Sequence, residues 1–273
     1  MLTPGIGCRE ISRILDEEKP GWYVDNAGLR IRYRVEGNGT PLVLLHGFTD
    51  SSETWYELGY VHALQPKHRL ILIDSRGHGQ SGKPHDAAAY TPEKLASDVT
   101  AVLDDLGAET CAFWGYSQGG WIAFALAKYA SNRISAFIIG GATAGGASAY
   151  PRVDGSDPLL EALKKGPDAI IGIYGDSASP ALVGRLRAND SEALVACRQQ
   201  RLVSGGYPGV SGSISAPTLL YAGTADPIHA SSRDTAAQIA NAQFVSLDCL
   251  GHVQAMVRSD LVLPHVQPFL NGL

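Results

Sequence analysis

Five short stretches of this chain are apolar at nearly every position rather than at alternate ones: residues 41–45, 70–73, 110–114, 134–139 and 217–221. A strand with one solvated face alternates in polarity, whereas a strand buried on both faces does not. Continuous runs bounded by turn residues therefore predict a parallel sheet covered on both sides. Residues 243–247 form a weaker sixth run. Residues 29–35 alternate as a half-exposed strand does, with Leu29, Ile31, Tyr33 and Val35 on one face and Arg30, Arg32 and Arg34 on the other. Helical patterns separate the runs. Thr91 and Pro92 supply an N-cap and a first-turn proline ahead of Leu95, Val99, Val102, Leu103 and Leu106, and Gly107 closes that helix. Residues 118–129 carry another. This alternation of strand and helix implies an α/β fold with helices on both faces of the sheet.

The alternation breaks between residues 142 and 215. Helical patterns occur there at 159–165, 181–187 and 191–203, with no strand pattern among them. The stretch is expected to be an insertion, placed where α/β enzymes carry lids over the carboxyl ends of strands. The expected organisation is an N-terminal extension over 1–20, a core over 21–141 and 216–273, and a helical cap over 142–215.

Composition narrows the classes of function. With 273 residues, 45% of them hydrophobic and 18% charged, the chain has ample material for a large core. A net charge of −5 gives no basic surface for nucleic acid and no attraction to anionic membranes. No apolar run approaches the roughly 20 residues of a membrane span. The first residues lack the basic start and apolar stretch of a secretion signal. Cys8, Cys111, Cys197 and Cys249 are scattered and form no CxxC, so a reduced, cytoplasmic chain is expected. No heptad or charge run marks a protein partner, and monomer and homodimer are both open.

The chemistry concentrates at Gly115-Tyr116-Ser117-Gln118-Gly119, which follows the 110–114 run and opens the 118–129 helix. This is G-x-S-x-G in a strand–turn–helix setting. A serine on so sharp an elbow sits in a strained backbone, and the flanking glycines remove Cβ atoms that would collide. Its hydroxyl is presented at a helix N-terminus, which favours developing negative charge. Serine needs a base, and His252 follows the last strand pattern. The base needs a carboxylate, and Asp226 directly follows the 217–221 run, whereas residues 140–151 contain no acid to compete. The chain order is Ser117, Asp226, His252. After the 41–45 run come His46-Gly47-Phe48, where Gly47 is expected to let the chain turn and the Phe48 N–H to face an oxyanion. The Gln118 N–H would be the second donor. His46 reads as a tie between loops, and Asp74 to Ser81 as a rigid structural turn.

These segments together resemble the α/β-hydrolase fold superfamily, specifically its serine-nucleophile, esterase-like members. The resemblance runs from about Gly21 to the C-terminus and rests on HGF at 46–48, DSRGHGQS at 74–81, GYSQG at 115–119, GTADP at 223–227 and GH at 251–252. It implies an eight-stranded, mostly parallel sheet with a helical cap after strand six, and no cofactor or metal. The expected activity is hydrolysis of carboxylic esters of small to medium molecules through an acyl-enzyme. Lactone hydrolysis, carbon–carbon cleavage of diketones and a perhydrolase or haloperoxidase side reaction would use the same residues. Epoxide-hydrolase and dehalogenase chemistry is disfavoured, because relatives of those kinds carry aspartate where this chain has Ser117. A receptor-like binding module on the same scaffold is the alternative from outside enzymology. Trp55, Tyr116, Trp121, Leu163 and Tyr174 are the expected substrate-facing side chains.

Overall fold

A computed structural model describes residues 21–145, 156–175 and 178–273. The N-terminal extension expected over 1–20, and part of the expected cap at 146–155 and 176–177, lie outside the described residues. Eight strands form one sheet: β1 (Trp22–Asn26), β2 (Leu29–Glu36), β3 (Thr40–Leu45), β4 (His68–Ile73), β5 (Cys111–Tyr116), β6 (Ile134–Gly140), β7 (Thr218–Gly223) and β8 (Ala242–Leu247). Their order across the sheet is β1-β2-β4-β3-β5-β6-β7-β8. Strand β2 runs antiparallel to both β1 and β4, and every other pairing is parallel. All six apolar and semi-apolar runs are thus parallel strands, and the alternating segment is the antiparallel one.

The two faces of β3 show why continuous apolar sequence was required. Val43 and Leu45 enter one core with Ile71, Ile73 and Phe113, and Leu42 and Leu44 enter the other with Leu70, Leu72 and Trp114. Helices cover both. On the first face lie α3 (Pro92–Asp105), α4 (Gln118–Tyr129) and α9 (His229–Ala237). On the second lie α1 (Glu53–Glu57), α2 (Tyr60–Leu64), α10 (His252–Val257) and α11 (Ser259–Asn271). Each fully buried Leu, Ile or Phe is worth about 1.5–3 kcal/mol relative to exposure, so neither layer is dispensable.

One expectation for β2 is corrected. Arg32 and Arg34 are buried, not solvated. Arg32 pairs with Asp74 at 3.2 Å, and Arg34 pairs with Glu53 of α1 at 2.7 Å. Ion pairs let the second face accept arginines beneath α1, which the polar half of the alternation had disguised as surface.

Between β6 and β7 the described residues form four α-helices: α5 (Pro158–Lys165), α6 (Pro167–Tyr174), α7 (Pro180–Ala188) and α8 (Ser191–Ser204). Asp157, Ser179 and Asp190 cap α5, α7 and α8 by accepting from the N–H groups of Leu160, Leu182 and Ala193. The insert has an apolar core of its own, built on Leu163, Ile170, Leu182, Leu186 and Leu194, and Phe48 packs against it.

The chain order reverses between β3 and β5. From β3 it passes outward to β4, then returns to lay β5 on the opposite side of β3. Loops leaving the carboxyl ends of two such strands diverge and leave a crevice, which is where open α/β sheets bind ligands.

Candidate active site

Strands β3 and β5 end in register at Leu45 and Gly115, so the residues that follow, His46-Gly47-Phe48 and Tyr116-Ser117, face each other across that crevice. The elbow at Ser117 has φ 52° and ψ −105°, a conformation few side-chain-bearing residues adopt. Its glycines are there for space. A Cβ on Gly115 would lie 2.2 Å from the Gly119 backbone, and one on Gly119 would lie 2.2 Å from the Leu45 carbonyl oxygen. Ser117 precedes α4 in the N-cap position but makes no side-chain cap. Its hydroxyl is engaged elsewhere.

That partner is His252, whose Nε2 lies 2.9 Å from Ser117 Oγ. His252 Nδ1 lies 2.6 Å from Asp226 Oδ2, and the Asp226 carboxylate is fully buried. The second carboxylate oxygen accepts the Ile228 N–H at 3.1 Å. Backbone bonds between two loops fix this geometry. The N–H groups of Thr224 and Ala225, after β7, donate to the carbonyls of Leu247, the last residue of β8, and Leu250, just beyond it, at 2.9 and 3.0 Å. A Cβ on Gly223 would strike the Leu250 carbonyl at 2.0 Å, so the loops close this tightly only over glycine. Tyr116 holds the other side of His252, its hydroxyl donating to the His252 carbonyl. With Asp226 accepting at Nδ1–H, Nε2 of His252 is left as an acceptor toward the Ser117 hydroxyl.

His46 ties loops together. Its Nε2 accepts the Ser75 N–H at 3.1 Å, which leaves Nδ1–H to donate to the Gly47 carbonyl at 2.7 Å. The Asp74 carboxylate accepts the N–H groups of Ser52 and Gln80 at 2.8 and 2.9 Å. His78 is fully buried, and its Nδ1–H donates to the Arg76 carbonyl at 3.0 Å. Burial, reinforced by neighbouring His46, lowers the His78 pKa to about 3. It is a neutral strut on the far side of Phe48, whose ring it meets edge-on at 5.4 Å.

The turn expected at Gly47 is present, its carbonyl accepting the Asp50 N–H at 3.4 Å, but it does not depend on glycine. Gly47 is not among the residues with positive φ, and a Cβ there would find ordinary contacts from 3.6 Å outward. The residue in the left-handed region is Thr49, at φ 67°. Neither the Phe48 N–H nor the Gln118 N–H makes a hydrogen bond to another described residue.

A cavity opens over Ser117 and His252. Gly47, Phe48 and Tyr116 line it from the core, Val253 and Met256 from α10, and Tyr174, Leu182 and Arg185 from the insert. Of the side chains expected at a substrate, Tyr116 and Tyr174 lie on this wall. Trp55, Trp121 and Leu163 do not. Trp55 packs edge-on against Tyr60 and Trp114 in the second core, at 5.2 and 5.3 Å. Trp121 lies in the first core against Tyr207. Leu163 is in the core of the insert. Proximity in sequence to a motif misled here, because a helix or turn next to a site presents most of its bulk to the core. Sequence reasoning missed Leu182, Arg185 and Met256. Leu182 and Arg185 lie far from the motifs in the chain, Met256 lies one helical turn after His252, and no local pattern distinguishes their cavity-facing side.

The chain matches the family described as alpha/beta hydrolase fold over residues 40–163. It is 33% identical over 119 residues to epoxide hydrolase 4 of Mus musculus, an alignment covering 42% of this chain and 32% of that protein. It thus spans well under two thirds of the length of the curated relatives it matches. Among solved structures, it superimposes on the enol-lactonase of Burkholderia xenovorans LB400 with a TM-score of 0.77 and 25% identity, covering 91% of this chain and 99% of that one. The esterase RhEst1 from Rhodococcus sp. ECU1013 gives a TM-score of 0.72 and 27% identity, covering 92% and 98%. With the sheet order, the insert after β6 and these likenesses together, the chain has the α/β-hydrolase fold.

Proposed function

We propose that this protein is a serine hydrolase acting on carboxylic esters of small to medium molecules. The observation that carries the reading is the series of hydrogen bonds from Ser117 through His252 to Asp226, opening onto a cavity. As Ser117 Oγ bonds to the ester carbonyl carbon, His252 Nε2 takes the hydroxyl proton. The carbonyl electron pair moves onto oxygen, which the N–H groups of Phe48 and Gln118 receive. Each such donor is worth about 3 kcal/mol of the barrier. Collapse of the tetrahedral adduct breaks the bond to the alcohol, which leaves with the proton from His252. Water then repeats the sequence on the acyl-enzyme: His252 takes its proton, hydroxide adds to the acyl carbon, and Ser117 departs and is reprotonated. Asp226 keeps the imidazole oriented and stabilises its charged form.

Serine at position 117 separates this reading from epoxide opening, for which the related enzymes use aspartate. Similarity to the Rhodococcus esterase supports the ester substrate. A lactone is the second reading, supported by similarity to the Burkholderia enol-lactonase. It needs no change in mechanism, since the leaving alkoxide merely stays tethered. We take the insert as a cap, with Tyr116 and Tyr174 facing substrate.

A panel of p-nitrophenyl esters with acyl chains from two to twelve carbons, beside five- and six-membered lactones, tests the reading. Turnover of at least one ester, lowered at least about a thousandfold in Ser117→Ala, is expected. Lactone cleavage without ester cleavage would move the chemistry to the second reading. Turnover that survives Ser117→Ala would refute both.

A further inference from the structure

The insert does more than roof the cavity. Three of its residues grip two consecutive residues of the loop that carries Phe48. Tyr174, the last residue of α6, has its hydroxyl 2.8 Å from Thr49 Oγ1. Because Thr49 Oγ1–H donates to the Phe48 carbonyl at 2.6 Å, Tyr174 is the donor of the pair. Burial raises the Tyr174 pKa, which keeps that proton in place. Asn189, just after α7, donates from Nδ2 to the Thr49 carbonyl at 2.7 Å. Arg185, within α7, donates from Nε to Asp50 Oδ1 at 2.8 Å, and its Nη1 reaches Glu57. The Phe48 ring itself packs on the apolar core of the insert.

These contacts converge on a strained residue. Thr49 is β-branched and 2% exposed, yet sits at φ 67°, where threonine is a marked outlier. A backbone of that kind persists only where its surroundings over-determine it. Ahead of it in the loop the support comes from the core, where His46 holds the Gly47 carbonyl. The bonds to Thr49 from outside its own loop come from the insert.

We propose that the cap is the clamp of the oxyanion site: Asn189, Tyr174 and Arg185 hold Thr49 and Asp50 in the conformation that aims the Phe48 N–H at the carbonyl attacked by Ser117. The three are positioning residues for the reaction. The proposal rests on the reading of Ser117 as nucleophile and Phe48 as oxyanion donor. It makes cap closure and transition-state stabilisation one event. When the cap lifts, Thr49 relaxes toward an ordinary backbone and the donor turns away, so that the enzyme hydrolyses only what the cap has enclosed. The insert also reaches the residue that carries the second donor: Cys197 of α8 places its Sγ 3.8 Å from the side-chain oxygen Oε1 of Gln118.

The test is a double-mutant cycle between Asn189 and Thr49. Glycine adopts positive φ without strain, so Thr49→Gly removes the need for the clamp while keeping the carbonyl that Asn189 binds. In the otherwise native chain, Asn189→Ala is expected to lower kcat about tenfold with KM changed less than about twofold, the effect of a misaimed donor. It should weaken a trifluoromethyl ketone, which forms an oxyanion on Ser117, by a similar factor, and leave a non-reactive alcohol competitor unaffected. In the Thr49→Gly background the same substitution should cost about twofold or less. Asn189→Asp, which keeps the shape but loses the donor, should behave as Asn189→Ala does, and serves if the alanine variant fails to fold. Equal losses in both backgrounds, or a change in KM alone, would overturn the clamp and leave the cap a simple lid. A folded wild type with no Ser117-dependent turnover would overturn the reading of the site and the clamp with it.

Discussion

At the scale of single residues, His78 shows how a histidine in a prominent motif serves structure rather than proton transfer. It is held neutral by burial, with a pKa of about 3 in the folded protein against about 6.5 in an unfolded chain. Between those values the unfolded state binds a proton that the folded state does not, so stability falls as pH drops through that window. The contribution approaches about 1.4 kcal/mol per pH unit below the unfolded pKa, or roughly 2 kcal/mol between pH 6.5 and 4.5. His78→Asn keeps a donor toward the Arg76 carbonyl but cannot titrate. Urea midpoints measured across that range should therefore fall less steeply in the variant, by about one proton. An unchanged slope would mean that His78 does not resist protonation. The neighbouring glycines make a related point. Gly119 was legible as a steric necessity, and a Cβ there would indeed meet the Leu45 carbonyl. Gly47 looked the same in the sequence, yet its backbone asks nothing special, and the strain sits two residues on, at Thr49. No rule read from residue types assigns a left-handed backbone to threonine.

At the scale of elements, strands were easier to read than helices, for a physical reason. The central strands are buried on both faces, so their sequences are apolar throughout, whereas the insert helices bury one narrow stripe against each other. Three of the four were visible as patterns. The missed one, α6, is bounded by Gly166 and Gly175 and carries Ile173 in solvent, which blurs its apolar side. Strand β1 was missed because it is an edge strand whose residues are mostly half-buried. Within the insert, one polar contact stands out. Arg198 of α8 forms a two-pronged pair with Asp157 at 3.0 and 2.6 Å, both side chains under 10% exposed, while Asp157 also caps α5. Asp157→Ala would leave a buried guanidinium without its carboxylate and α5 without its cap. A loss of about 3–5 kcal/mol is expected, confined to the insert. Hydrogen exchange should quicken across α5 and α8 while β3 and β5 stay protected. A uniform change would contradict an insert with its own core.

At the scale of the whole molecule, the sheet, the insert and the meeting of Ser117, Asp226 and His252 were all foreseeable, because each is dictated by a local pattern and by the reversal of strand order. The wall of the cavity was foreseeable only in part: Tyr116 and Tyr174 lie on it as expected, but Leu182 and Arg185 of the insert and Met256 of α10 join them unannounced. Residues near a motif in sequence, Trp55 and Trp121, proved to be core. Shape and charge at the cavity arise from tertiary packing, and so does substrate choice, which is why the elbow speaks for a reaction type and not for a substrate. Every proposed step turns on Ser117 being an activated nucleophile. The most direct measurement is intact-mass and peptide mapping of the protein after exposure to a fluorophosphonate, with His252→Ala beside it. One phosphonyl group per chain, located on Ser117, is expected, with labelling slowed at least about a thousandfold in the variant. A folded protein that stays unlabelled, or labels elsewhere, would contradict it.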